Sequence, residues 1–375
     1  MIIYILMLLW VPFVYFIYAA NRRTKSVAVG AVEPPEENKK FPLIYALLIF
    51  GFFTFWIGMR GYIFDTSAYI GSFNGLSSVF SEAWADIEWD GKHPGFDVFN
   101  VFFKCFVSQD YQWWLMTIAI ISMLPIMLTL KKYSSDFFFS AFMFIALNTY
   151  TWPMNGMRQF ICVAILFGCS AFVKDGKIIK FIAIAWLLST IHYTSLLMIP
   201  VYFVARSKPW RLKIAAFILF IVVICFFAEP FFAGLEDNVL SGTAYEGATA
   251  QFEDDDGVNP LRALFSCVFP VLAYIRRDRL EEASRSNPMI PVAVNMSLVA
   301  AALNVVGVFT SGILIGRLPI YCSVYNMLLI PYIFKYGFVN RDRTVVRTVL
   351  VCMMMVMFYM ECPDMYHSRM TGYVM

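Results

Sequence analysis

Arg158 stands in the run Asn155-Gly-Met-Arg158-Gln159, with two amide side chains within one helical turn of its guanidinium. A guanidinium presents a planar fork of N–H donors that matches phosphate oxygens, and it stays charged at any physiological pH. Further along, His192 lies inside the apolar run IAIAWLLSTIHYTSLLMIP. A neutral imidazole can accept a proton from a sugar hydroxyl, and an imidazolium can pair with phosphate. Arg60, with Asp65 close behind it, and Arg317 complete the candidate set. Asp65 reads either as a base or as the carboxylate partner of Arg60. Several arginine forks at one membrane face would hold an anion at the lipid boundary. A lipid-linked pyrophosphate fits, with its tail in the bilayer and its charge at the surface. Each residue also has a plainer reading: an interfacial arginine snorkelling to water, or a histidine bonded to a carbonyl at a helix break.

What is missing narrows the chemistry. The sequence has no Gly-rich phosphate loop, no HExxH, no GxSxG and no cytoplasmic nucleotide-binding domain, so the reaction must draw its energy from the substrate. The eight cysteines form no CxxC and no Cys/His metal spacing. Cys105 and Cys362 are the pair open to a disulfide. The reading requires neither metal nor cofactor, and no nucleic acid.

These residues must be positioned by membrane helices. Of the 375 residues, 60% are hydrophobic and 15% charged, against roughly 25% charged in a soluble domain. Apolar segments fall at 1–20, 42–59, 112–130, 137–152, 159–173, 181–205, 214–233, 261–275, 288–310, 313–334 and 346–360. Basic residues follow the first segment rather than precede it, which predicts a permanent helix with its N-terminus outside. Alternation from there places all but seven of the 29 Lys and Arg residues inside, the exceptions being Arg60, Lys92, Lys104, Arg158, Arg262, Arg317 and Arg369. Both termini are expected outside.

One segment must bend. Lys180 and Arg206 both belong inside, yet two full passes between them would need about 40 residues. The spacing predicts two short helices, about 181–190 and 194–205, turning near His192 beside a cavity open to the outer face. The expected fold is a single all-α polytopic membrane domain, 1–375, with about 11–12 membrane segments including this broken pair. An outer loop over 60–110 carries Phe96, Phe99, Phe102, Phe103 and Phe106 near helical spacing, which predicts an interfacial helix. A second outer loop over 234–260 is acidic but lacks the spacing of a calcium loop.

Three motifs in order, Arg60-Gly-Tyr-x-x-Asp65-x-x-x-Tyr69-x-x-x-Phe73, Asn155-x-x-Arg158-Gln159 and Ile191-His192-x-x-Ser195-Leu196, resemble the EpsG-like branch of the Wzy-type polysaccharide polymerases. Arg317-x-Pro319-x-Tyr321 is loosely similar to an aromatic-flanked arginine late in that family. The resemblance implies an integral-membrane glycosyltransferase of GT-C-like architecture in a bacterial inner membrane, acting at the periplasmic face. It would transfer a growing glycan from undecaprenyl pyrophosphate to the next lipid-linked repeat unit, alongside a chain-length regulator and a flippase. Arg158 and Arg60 would bind pyrophosphate, with Arg317 beside them and Asn155 and Gln159 in support; His192 would be base or phosphate ligand. The family's outer loop has an acidic residue before Pro-Gly-Phe where this chain has His93, which leaves Asp65, Asp97 and His192 open as the base. A membrane O-acyltransferase of surface glycans and a lipid-linked sugar transporter are the competing readings. The outer-face clustering counts against the first and the lack of two related halves against the second.

Overall fold

The computed structural model describes residues 2–29, 41–63, 65–212, 214–220, 223, 257–310 and 315–362, and among these every regular element is helical. In chain order the helices are α1 (Ile2–Val29), α2 (Leu43–Gly58), α3 (Thr66–Gly75), α4 (Phe80–Ala85), α5 (Pro94–Phe106), α6 (Tyr111–Tyr133), α7 (Phe137–Ala146) and α8 (Met157–Gly168). They continue with α9 (Ser170–Lys174), α10 (Ile178–Ser189), α11 (Met198–Ala205), α12 (Pro260–Ile275), α13 (Arg277–Ser284), α14 (Met289–Gly307), α15 (Ile320–Ser323), α16 (Asn326–Tyr332) and α17 (Asn340–Glu361). Among the described residues four stretches are long and apolar enough to cross a membrane: Ile2–Arg23, Tyr111–Tyr133, Met289–Gly307 and Arg341–Glu361.

Several of the other apolar segments are shorter because the backbone breaks inside them, whereas α2 and α12 are continuous helices of 16 residues. The segment expected at 137–152 is helical to Ala146. It then passes through Asn148 at φ 52°, a left-handed conformation that Asn tolerates, into a 3-10 turn at Thr149–Thr151. The segment at 313–334 is divided between α15 and α16, and a π-helical turn, Ile333–Gly337, follows Pro331. Proline removes a ladder donor and crowds the preceding turn, which favours such irregularity. Most of the acidic loop, 234–256, lies outside the described residues, as do parts of the segment at 214–233 and the tail from 363.

Contacts divide the chain into two compact units. The first comprises Met1–Ile87, Asp97–Gly168 and Thr344–Met375; the second comprises Glu88–Phe96 and Cys169–Arg343. In the first unit α6 packs against both α2 and α8, and α1 against α7 and α2. Aromatic rings fill this core: Phe53 stacks on Phe144 at 6.0 Å and Phe73 on Trp114 at 4.8 Å. Carboxylates start its helices, Asp110 accepting from the Gln112 N–H and Asp136 from the Phe139 N–H, each at 3.0 Å. Lys104, one of the basic residues left outside by the topology, is buried and donates to the Phe73 and Asn74 carbonyls at the end of α3.

The phenylalanine-rich helix is α5. Within the first unit Val101 and Phe103 face the core, while Phe102 and Phe106 remain exposed against Phe80 of α4, with ring centroids 5.1–6.1 Å apart. Cys105 and Cys362 are free thiols, so that disulfide does not form; Cys105 faces the Ser77 carbonyl and Cys362 the Tyr150 hydroxyl.

In the second unit α14 is the central helix, packed by α11, α12, α15 and α16. Its fully buried Asn295 donates to the carbonyls of Val204, Ala205 and Ser207 at 3.0, 3.2 and 2.7 Å. Those carbonyls lie at the end of α11 and just past it, where a helix runs out of internal donors, so one amide closes a helix terminus inside an apolar core.

Candidate active site

Arg60 lies two residues past the end of α2 and is completely buried. Its Nη1 donates to the Ile57 carbonyl at 2.6 Å, Nε to Thr66 Oγ1 at 3.0 Å, and Nη2 contacts the Met157 sulfur at 3.6 Å. Thr66 Oγ1 passes the connection on to the Met154 carbonyl at 2.8 Å. Arg60 thus ties the end of α2, the start of α3 and the loop before α8 together. The ion pair with Asp65 offered by the sequence does not form. Asp65 is half-buried, contributes only its carbonyl to the start of α3, and its carboxylate takes no partner among the described residues.

That loop delivers Arg158. Gly156 at φ 40° turns the chain into α8, whose first ladder bond runs from the Phe160 N–H to the Gly156 carbonyl at 3.0 Å. Positive φ suits glycine, which has no Cβ to clash. Arg158, the second residue of α8, is half-buried, and its guanidinium lies over the Tyr69 ring at 5.2 Å. A ring face attracts the cation while leaving the fork's N–H groups able to donate. The positive end of the α8 dipole lies at the same residues. Asn155 is also half-buried, whereas Gln159 is 2% exposed and turns into the core. The structure therefore brings Arg60, Asp65, Asn155, Arg158 and Gln159 together in the first unit, with Arg158 the more open of the two arginines.

His192 and Arg317 belong to the second unit. Helix α10 ends at Ser189, His192 is extended at φ −155°, and a 3-10 turn at Tyr193–Leu197 leads into α11. The predicted pair of short helices is present, broken at the expected histidine. Ser195, fully buried, anchors the break by donating to the Ala185 carbonyl at 2.9 Å. His192 Nδ1 meets Thr194 Oγ1 at 2.7 Å, and Thr194 Oγ1 meets the Tyr321 hydroxyl at 3.0 Å. Arg317 is half-buried in the turn before α15, four residues ahead of Tyr321.

His93 was the feature least visible in the sequence. It stacks on His192 with ring centroids 5.6 Å apart and an interplanar angle of 21°. Gly95 makes this approach possible, because its N–H donates to the Thr190 carbonyl at 2.9 Å and a Cβ there would fall 2.1 Å from Thr190 Oγ1. The His-Pro-Gly string carried the signal: Pro94 opens α5 and Gly95 lets a backbone draw near.

Among the described residues, regular structure that is all helical, several apolar spans and ionisable residues at broken helices define a membrane protein whose polar sites sit at irregular backbone. Residues 43–369 match the EpsG family, and the chain belongs to it. This is a family of Wzy-type, polysaccharide-polymerase-like membrane proteins, so at the coarse level the protein is a glycosyltransferase-like polymerase. No curated protein and no solved structure matches the chain.

Proposed function

We propose that this protein polymerises lipid-linked oligosaccharide repeat units at the outer face of a bacterial inner membrane, moving the growing glycan from undecaprenyl pyrophosphate to the next unit. The observation that carries this reading is Arg158: a half-buried arginine whose guanidinium lies over Tyr69 at the positive end of α8, in a chain of the EpsG family. An acceptor hydroxyl attacks the anomeric carbon of the donor sugar. The new carbon–oxygen bond forms as the bond to pyrophosphate oxygen breaks, and charge develops on the leaving group. Arg158 stabilises that charge, with Asn155 beside it; Arg317 is carried as an anion ligand by the family resemblance alone. Arg60 acts by positioning: its buried hydrogen bonds fix the loop that presents Arg158.

The proton of the acceptor hydroxyl goes to His192. Nδ1 is engaged by Thr194 and Thr194 in turn by Tyr321, which orients the ring. Asp65, whose carboxylate takes no partner among the described residues, is the second candidate base. The test is the length distribution of lipid-linked and surface glycan in a deletion strain complemented with wild type, Arg158→Ala, His192→Ala or Asp65→Asn at matched membrane levels. The wild type should restore a ladder of chain lengths, while Arg158→Ala and His192→Ala should leave single repeat units. A ladder that persists in the deletion strain itself would exclude the polymerase reading.

A further inference from the structure

Two arginines of the second unit converge on one residue that plays no part in the chemistry above. Arg276 closes the end of α12, and its guanidinium lies over the Phe338 ring at 4.3 Å. Arg343, in the first turn of α17, donates from Nη2 to the Phe338 carbonyl at 3.1 Å. Phe338 is 8% exposed and directly follows the π-helical turn Ile333–Gly337, against which α13 packs. Such turns concentrate at functional positions. A Cβ at Gly337 would lie 3.1 Å from Arg276 Cβ and Cγ, so the turn forms a seat for that side chain.

The seat holds the two charges without neutralising them. Both Nε atoms are buried without an acceptor, and among the described residues neither arginine makes an ion pair. On α13 Asp278 meets Arg277 at 3.6 Å and Glu282 meets Arg279 at 4.0 Å, while Glu281 is exposed. Asp342, next to Arg343, is exposed and makes no ion pair among the described residues. A ring face and a carbonyl orient guanidinium forks, but an anion is what satisfies them. Exposed Lys335, Arg277 and Arg341 add positive charge from adjoining positions. In the topology read from the sequence, all five basic residues fall on the inner side.

We propose that Arg276 and Arg343, seated on Phe338, form a phosphate-binding site distinct from the arginines of the first unit, and that its ligand is the headgroup phosphate of an anionic membrane lipid. Basic clusters at the cytoplasmic ends of membrane helices attract such headgroups. Full-length protein, purified in detergent and stripped of lipid, would be offered phosphatidylglycerol and phosphatidylcholine in equal amounts and read by native mass spectrometry. A parallel sample would receive inorganic phosphate.

Wild type should retain phosphatidylglycerol in preference, and Arg276→Gln or Arg343→Gln should weaken that preference about tenfold, the worth of one charge-assisted hydrogen bond. Arg279→Gln, at a side chain 71% exposed, should leave it unchanged. Binding of inorganic phosphate lost in the same variants, without lipid preference, would keep the phosphate site and overturn the lipid as its source. Equal phosphatidylglycerol retention by wild type and Arg276→Gln would overturn the site. If Arg343→Gln does not yield monodisperse protein, Arg276→Gln decides alone, because the Arg276 side chain makes no hydrogen bond that folding would lose.

Discussion

The arginine region of the first unit and the histidine break of the second place polar chemistry in apolar surroundings by opposite means. Around Arg60 the guanidinium is sealed in, its donors directed at the Ile57 carbonyl, Thr66 and the Met157 sulfur. At His192 the helix itself stops, and a short relay through Thr194 to Tyr321 orients a half-buried ring. The first arrangement spends charge on rigidity and delivers a neighbour, Arg158, to the surface of the unit. The second leaves the histidine on the irregular backbone itself. A buried polar residue near a candidate site can therefore be its support, and exposure separates the two roles better than charge does.

Arg60 and Arg158 sharpen the contrast. Arg60→Ala removes three interactions of a fully buried side chain and leaves Thr66 and the Ile57 carbonyl short of a partner, which should cost on the order of 3 kcal/mol or more. The expected outcome is loss of folded protein in the membrane, measured by thermal unfolding in detergent. Normal stability of this variant would mean that Arg60 is not the support of the loop. Arg158→Ala should instead fold normally and lose about 10²-fold or more in rate. His192→Ala should likewise lose activity while keeping its melting temperature, since its ring is only half-buried.

The second unit offers a steric test. Gly95→Ala drives a methyl into Thr190 and should push His93 away from His192, lowering activity about tenfold. Pairing it with Thr190→Gly removes the colliding side chain and should restore most of the rate. Failure of the double variant to recover would show that Gly95 serves something other than the approach of the two histidines. The smallest effect is expected for Tyr321→Phe, which deletes the far end of the relay and should cost only a few-fold, since His192 keeps Thr194. A loss as deep as that of His192→Ala would put Tyr321 in the chemistry itself.

Much of the helical plan could be read from the amino acids, because apolar segments of membrane length and capping residues report local physics. Asp110, Asp136 and Asn259 each stand at a helix start and accept from its backbone. The break at His192 followed from arithmetic on the distance between Lys180 and Arg206. The left-handed Asn148 and the π turn after Pro331 did not, since they depend on packing around them. The same limit applied to the candidate residues. Arg60 and Arg158 carry the same side chain, and only the folded chain shows one buried and the other half-open. His93 and His192 lie almost a hundred positions apart, and no local pattern announces a ring stack between them.

The most direct measurement of the central claim is chain extension by purified protein on a defined undecaprenyl-pyrophosphate-linked repeat unit, wild type against Arg158→Ala, with melting temperatures taken on the same preparations. The account predicts unchanged melting and a rate lower by about two orders of magnitude. Extension at the wild-type rate, or a loss that merely follows a lowered melting temperature, would contradict the assignment of Arg158 as the group that meets the leaving pyrophosphate.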